Sequence, residues 1–345
     1  MAFEYELAAI LVVVLIVLAI GLAFSIGAND ETTAPLAAAG TLRFKFVLII
    51  GGAAIAFGTI FLSEGVASLV GQKILGSGIR YTVFMLLAVL ISAIVWLIIG
   101  SFAGIPLSST HSLIGSIFGV VIVYAMFSGG VNPEMAFNWE KLGGVVLSWF
   151  LSPLFGLLGS YLLYKIIDNL YLSKKKGLNE IEKSERNFAW ALLFAIIFAE
   201  IWVGANSAEA LGILYALYTN GNLTIVGYYF FVVICALIAF LGLFIAGRYV
   251  IRNLASQLTD ARPSDGFIIQ LASSIILMFC TVIFCVPVSH SHVIVFCIIG
   301  MNLAKKKEVD YGKLGKMFLF WVLTFPVAAI LAGLIYFGFI SFGMI

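Results

Sequence analysis

The sequence predicts an all-α polytopic membrane protein with about ten spans, arranged as two inverted-topology repeats with broken or half helices at the midplane. Three observations predict this class: an extreme composition, uncharged segments of spanning length, and motifs that occur twice. Of 345 residues, 63% are hydrophobic and 10% are charged, and the net charge is +2. Because soluble domains carry roughly 25% charged residues, this composition excludes a soluble enzyme, a nucleic-acid-binding protein and a disordered chain.

The spans follow from the length of the apolar runs. A helix needs about 20 apolar residues to cross the hydrocarbon core. The runs 81–133 and 266–304 are long enough for two spans each, and they divide near residues 104–106 and near Pro287. The other predicted spans lie within residues 7–26, 46–63, 142–164, 188–204, 223–247 and 317–345.

The sidedness follows from the basic residues, because Lys and Arg concentrate in cytoplasmic loops. With the N-terminus outside, the inner loops hold 16 of the 19 Lys and Arg residues. The outer side keeps Lys73, Arg80 and Lys141. We therefore expect a multi-pass protein of the cell membrane, the plasma or bacterial inner membrane, with both termini extracytoplasmic.

Three motifs recur in the same order along the chain. They predict a first repeat at 1–172, a charged cytoplasmic linker at 173–187, expected to be a solvated loop, and a second repeat at 188–345. Each half contains five predicted crossings, an odd number, so the second half must be inverted relative to the first. Such repeats are typical of secondary transporters, whose binding site lies between the repeats near the midplane. The recurring motifs are GAND at 27–30 and GANS at 204–207, PLSSTH at 106–111 and PVSHSH at 287–292, and KLG at 141–143 and 313–315, followed by Trp149 and Trp321.

The GAN segments predict a cation site. Glycine followed by short side chains with carbonyl and hydroxyl oxygens suits an unwound turn, and hard cations prefer such oxygen ligands. The alternative is that Asn29, Asp30 and Asn206 only cap helices at the membrane edge. The candidate ligands are Asn29, Asp30, Thr32 and Thr33 in the first copy and Asn206, Ser207 and Glu209 in the second.

The two proline motifs predict an anion site. Proline suits the first turn of a helix, so each motif reads as the start of a half-helix inside the membrane. Its N–H groups, its dipole and the nearby hydroxyls would bind a small oxyanion. The alternative is that these hydroxyls bond back to carbonyls of their own helices. The candidate residues are Ser108, Ser109, Thr110, Ser289 and Ser291.

Three histidines accompany these hydroxyls. His290 and His292 are two positions apart and would point to different faces of a helix, so a shared metal ion is disfavoured. We expect His111, His290 and His292 to orient the loops by hydrogen bonding. An intramembrane enzyme lacks a supporting motif, and a channel would need rings of like residues.

Together these motifs resemble the inorganic phosphate transporter (PiT) family, whose motifs read roughly GANDVAN and P-V/I-S-T-T-H in both halves. The similarity covers most of residues 20–165 and 190–335. The resemblance implies import of orthophosphate coupled to Na⁺ or H⁺, no other cofactor, and a homodimer in the lipid bilayer. Phosphate would bind at Ser108, Ser109, Thr110, Ser289, Ser291 and Asp30, and some family members carry sulfate.

The chain departs from the family pattern at several positions. Glu31, Thr32 and Thr33 replace V-A-N, Ser207 replaces an aspartate, and His290 replaces a threonine. Phosphate is nevertheless favoured over sulfate, because phosphate keeps an O–H that a buried carboxylate such as Asp30 can accept.

Overall fold

The protein is helical throughout the residues described by the computed structural model, which are 2–28, 32, 43–102, 107–127, 132–249, 251, 262–309 and 311–345. Within these ranges β-structure is limited to an isolated bridge between Leu75 and Phe137. The all-helical class is therefore confirmed.

Twelve α-helices are described, several of them extended by a π-helical turn at the C-terminal end: 69–73 after α3, 243–247 after α9 and 279–283 after α10. Their bounds are α1 Ala2–Ala28, α2 Phe44–Leu62, α3 Glu64–Ser68, α4 Val83–Phe102, α5 Ser109–Phe127, α6 Trp139–Leu170, α7 Leu178–Ala205, α8 Ala208–Thr219, α9 Ile225–Gly242, α10 Pro263–Met278, α11 His290–Ala304 and α12 Tyr311–Ser341.

Eight helical segments in the described part of the chain are long and apolar enough to cross a membrane. Two further apolar helices, Val83–Ile99 and His290–Ala304, are shorter. Large apolar side chains such as Phe61, Phe150 and Phe194 are more than 60% exposed, as expected for helices that face lipid. The protein is a multi-pass membrane protein, and the count of ten crossings stays a prediction.

The helices of the two sequence halves pack reciprocally. Helix α5 of the first half lies along α12 of the second, and α11, which follows the second proline motif, lies along α6. In the same way α2 lies along α7, and α9 lies along α1. These four contacts between the halves thus form two corresponding pairs.

Glycines set the closest of these approaches. A Cβ at Gly27 would lie 1.9 Å from the carbonyl oxygen of Ala239 on α9. A Cβ at Gly204 would lie 2.1 Å from the carbonyl oxygen of Ile55 on α2. Small residues let membrane helices approach this closely, so the glycine of each GAN motif is a packing residue inside a helix, and the expectation that these glycines belong to unwound turns was wrong.

A second pair of glycines allows a close approach of the helices at the other two crossings. A Cβ at Gly119 would lie 1.8 Å from the carbonyl oxygen of Ala329, where α5 crosses α12. A Cβ at Gly300 would lie 2.1 Å from the carbonyl oxygen of Leu157, where α11 crosses α6. Both prolines in the interiors of these partner helices, Pro153 and Pro326, lie near the crossings.

One pair of corresponding contacts is unequal. Helix α7 packs along much of α10, whereas α1, its counterpart, meets α4 over a short stretch. The described part of the molecule is therefore not symmetric between its halves.

The linker is only partly a loop. Helix α7 begins at Leu178, so residues 178–187 form its first turns, and a short 3₁₀ turn occupies Leu172–Lys174. Glu, Lys, Leu and Arg dominate 178–187, and all four are good helix formers. For this reason the apolar helix continues into the polar segment, and the expected loop is confined to residues before 178.

Candidate functional site

The first proline motif ends in a capped helix start. The backbone N–H of His111 donates to Ser108 Oγ at 3.2 Å, as at a helix N-cap. The same oxygen lies 2.7 Å from His111 Nδ1, and both residues are buried. The Ser108 hydroxyl is thus engaged by its own helix.

The second proline motif is held by the second GAN motif. Asn206 Nδ2 donates to the carbonyl oxygen of Val288 at 2.7 Å, and the N–H of Val288 donates to Asn206 Oδ1 at 3.1 Å. Thr110 Oγ1, from the first motif, donates to the same carbonyl at 3.4 Å. Three of the predicted motifs therefore converge on the backbone of Val288.

The break between α7 and α8 presents a buried hydroxyl. Helix α7 ends at Ala205, α8 starts at Ala208, and Asn206 and Ser207 lie between them. Ser207 is 4% exposed, and its Oγ has no hydrogen-bond partner in the described residues. A buried hydroxyl oxygen without a partner, at a helix start, can still bind a ligand.

His290 and Thr32 connect the second motif to the segment after α1. Thr32 Oγ1 lies 3.4 Å from His290 Nε2, and Gln270 Nε2 donates to the carbonyl oxygen of Thr32 at 2.9 Å. Thr32 and Gln270 are both fully buried or nearly so. Residues from both GAN segments thus contact the second proline motif.

Four aromatic rings pack against one another at the starts of α5 and α11. His111 packs on Trp149 with ring centroids 3.9 Å apart, and His292 packs on Trp321 at 3.8 Å. The two histidines face each other at 4.8 Å. His292 Nε2 is buried and has no hydrogen-bond partner among the described residues. The starts of α5 and α11 therefore meet inside the molecule.

The remaining predicted residues are placed less completely. Ser109 and Ser291 are half-buried and Ser289 is buried, each in the first turn of α5 or α11 or just before it. Asn29, Asp30 and Thr33 lie outside the described residues, as does the side chain of Glu209.

Sequence analysis missed several residues of this region. Gln270 is a buried amide in an apolar span, and that exception to an apolar run was the available signal. Ser112, one turn after Ser108, is fully buried and its Oγ has no partner within the described chain. Sequence analysis used Trp149 and Trp321 only to identify the repeat. Their matched positions in the two halves were the available signal that each would pair with a histidine.

The described part of the site is a polar cluster. Its polar groups are hydroxyls, side-chain amides, imidazoles and helix starts. Among the described residues no group of three or more His, Cys, Asp or Glu could hold a metal ion. The fold and this cluster define a multi-pass helical membrane protein with a buried polar site where the starts of α5 and α11 meet.

The comparisons with known proteins identify the family. Residues 76–332 match the model of the phosphate transporter family, and the chain belongs to that family. It is a transport protein rather than an enzyme. A Bacillus subtilis relative described as a probable low-affinity inorganic phosphate transporter is 27% identical over 340 residues, covering 95% of this chain and 97% of the relative. A similarly described Rhizobium meliloti protein is 28% identical over 81% of both chains.

A solved structure supports the fold. The chain superposes on a protein titled the sodium-dependent phosphate transporter with a TM-score of 0.81. The match covers 96% of this chain and 99% of that one, at 20% sequence identity. The arrangement of helices described above is therefore that of a known membrane transport protein.

Proposed function

We propose that this protein is a symporter that imports inorganic phosphate by alternating access, driven by Na⁺, with H⁺ as the alternative coupling ion. The observation that carries the proposal is the meeting of two equivalent half-helix starts, joined by the hydrogen bonds at Val288 and by the contact between His111 and His292. Relatives named for phosphate transport and a structural neighbour titled sodium-dependent support the substrate and the ion.

Phosphate would be bound by helix starts and hydroxyls. The first N–H groups of a helix have no partner within it, and the positive end of the helix dipole favours an anion. Residues 107–127 and 287–304 contain no Lys or Arg. The anion's charge is then met by N–H groups, by Ser109, Thr110, Ser289 and Ser291, and by the accompanying cation.

The cation would bind at the broken segments after α1 and α7. The hydroxyl of Ser207, which has no hydrogen-bond partner among the described residues, supports this assignment. Asn206 Oδ1 already accepts the N–H of Val288, so in this role it would join the cation site to the anion loop. Thr32, Asn29, Asp30, Thr33 and Glu209 complete the proposed set.

The inverted repeat is also part of the proposal. The reciprocal helix packing and the matched glycines support it. If α4 and α10 both crossed the bilayer fully in opposite senses, the loops after them would lie at opposite faces, about 30 Å apart. Thr110 instead contacts Val288, so both hairpins, α4–α5 and α10–α11, would turn at a common depth within the membrane.

The test is uptake of radiolabelled phosphate into proteoliposomes. We expect an inward Na⁺ gradient to drive accumulation that excess sulfate does not compete away. Accumulation driven only by a proton gradient would assign coupling to H⁺, and competition by sulfate would indicate a sulfate permease. Phosphate flux that needs neither gradient and never exceeds equilibrium would contradict the proposal.

Two substitutions locate the anion in the same assay. Ser291→Ala removes a proposed hydrogen bond to a charged ligand, worth roughly 1.5–3 kcal/mol, and should weaken phosphate affinity at least about tenfold. Ser341→Ala is the matched control, because its hydroxyl is exposed and donates to its own helix at Phe337. Asp30→Asn should reduce the preference for phosphate over sulfate, and an unchanged preference would remove Asp30 from the site.

A further inference from the structure

A polar cavity lies where the end of α6, the linker, the start of α7, the start of α10 and the residues after α11 meet. Its lining includes none of the residues of the candidate site described above. Its volume is about 370 Å³, within the range of cavities that hold small molecules. The segments that form it carry the basic residues of the predicted inner loops. Its basic lining residues are Lys175, Arg262, Lys305 and Lys307.

The acids in this cavity are largely engaged. Asp265 forms an ion pair with Lys305 at 2.7 Å and accepts the backbone N–H of Arg262. Glu185 accepts the N–H and the hydroxyl of Ser264, both at 2.9 Å. Only Asp168 among the lining acids has no such contact in the described residues.

The cavity lining carries four basic and three acidic side chains, so one positive charge is in excess. Lys175, Arg262 and Lys307 line the cavity, and no ion pair involves them in the described part of the chain. Like charges that converge on one cavity repel each other, and an anion bound between them relieves this repulsion. Arg and Lys are also the side chains that recognise phosphate groups.

A second observation points to a ligand. Ser184 lines the cavity and is 3% exposed, and its Oγ has no hydrogen-bond partner among the described residues. Leu170 and Leu178, which are near the lining residues Leu172 and Ile181 in sequence, are 63% and 86% exposed. The site thus combines cations and a spare hydroxyl with an adjoining surface suited to acyl chains.

We propose that this cavity binds a phosphate group, supplied by an anionic phospholipid headgroup or by free orthophosphate. Basic pockets between membrane helices on the cytoplasmic side are a recognised setting for anionic headgroups. The bound group would bridge the linker, α10 and the residues after α11. This inference stands on its own geometry and does not require the proposed transport cycle.

The test compares two triple variants in nanodiscs. One variant carries Lys175→Gln, Arg262→Gln and Lys307→Gln. The control carries Arg43→Gln, Lys45→Gln and Lys165→Gln, which remove the same charge from exposed residues that do not line the cavity. The first probe is phosphatidylglycerol in phosphatidylcholine, with the lipid retained on the protein measured by native mass spectrometry. The second is orthophosphate in pure phosphatidylcholine, read as a shift in thermal unfolding.

We expect the wild type and the control variant to retain phosphatidylglycerol in preference to phosphatidylcholine. In the cavity variant this preference should be at least about tenfold lower. If only the orthophosphate shift is lost, the ligand is free phosphate. Equal binding of both probes by all three proteins overturns the proposal. If the triple variant does not fold, Arg262→Gln and Lys307→Gln are measured singly against Lys45→Gln. Because the readout is binding, its failure is distinguishable from failure of phosphate uptake.

Discussion

At the scale of residues, Asn206 has the most specific geometry of the predicted set. Its amide donates to the carbonyl oxygen of Val288 and accepts from the N–H of the same residue, so it pairs with the backbone of Val288 as a neighbouring strand would. An aspartate could not donate, and an alanine could do neither. The side chain therefore couples the break between α7 and α8 to the loop that starts α11.

The first prediction concerns this coupling. Asn206→Ala leaves the buried N–H of Val288 without its partner, at a cost of about 1–3 kcal/mol, and leaves the carbonyl of Val288 with only Thr110 as donor. It should reduce phosphate uptake at least about tenfold. Asn222→Ala, in an exposed turn, is the control. If Asn206→Ala took up phosphate at the wild-type rate in proteoliposomes, the hydrogen bonds between Asn206 and Val288 would not be needed for transport.

The residue types of the site could be predicted from sequence, but the hydrogen bonds that each residue makes could not. Ser108 and Ser109 are adjacent and chemically identical, yet the first caps its helix through the N–H of His111. Which hydroxyl is consumed by a cap depends on where the helix begins, and sequence locates helix ends poorly. Gln270 was missed because its partner, the carbonyl of Thr32, is 238 residues away.

At the scale of elements, the glycines of the GAN motifs act through helix packing. The sequence suggested an unwound turn, since glycine favours irregular backbone. In the structure Gly204 is helical, and the backbone of α2 occupies the space that a side chain would need. The recurrence of the motif was visible in sequence, but the partner helix was not, because α2 and α7 are far apart in the chain.

The second prediction follows from this contact. Gly204→Ala places a Cβ 2.1 Å from a carbonyl oxygen, so we expect a loss of about 1–3 kcal/mol of stability. Gly143→Ala, on the exposed face of α6 with open space around it, should be neutral or stabilising by up to about 1 kcal/mol. Thermal unfolding in detergent measures both, and equal midpoints would refute the packing role.

At the scale of the whole molecule, composition and apolar run length were sufficient to predict a helical membrane protein. Most predicted spans coincide with a described helix. The two proline motifs were predicted as half-helix starts, and the starts of α5 and α11 do meet inside the protein. Their meeting could not be read from spacing, because it depends on how the two halves pack.

The third prediction tests the orientation of the chain. Ser173→Cys, in the linker, should react with a membrane-impermeant maleimide only after the cells are permeabilised. Asn222→Cys should react in intact cells. Both positions are exposed. The unsubstituted protein gives the background, which comes from the half-buried Cys280 and Cys285, since Cys235 and Cys297 are buried. Labelling of Ser173→Cys in intact cells would reverse the topology.

The unequal contacts of α7 with α10 and of α1 with α4 have a consequence for the proposed cycle. If corresponding helices trade their roles, a second arrangement of the same chain exists in which α1 lies along α4 and α7 has parted from α10. The described conformation would then be one of two that interconvert. The other conformation could be built from it by exchanging the conformations of the two halves. The side of the membrane to which the site opens would then depend on which helix pair is packed together, α7 with α10 or α1 with α4.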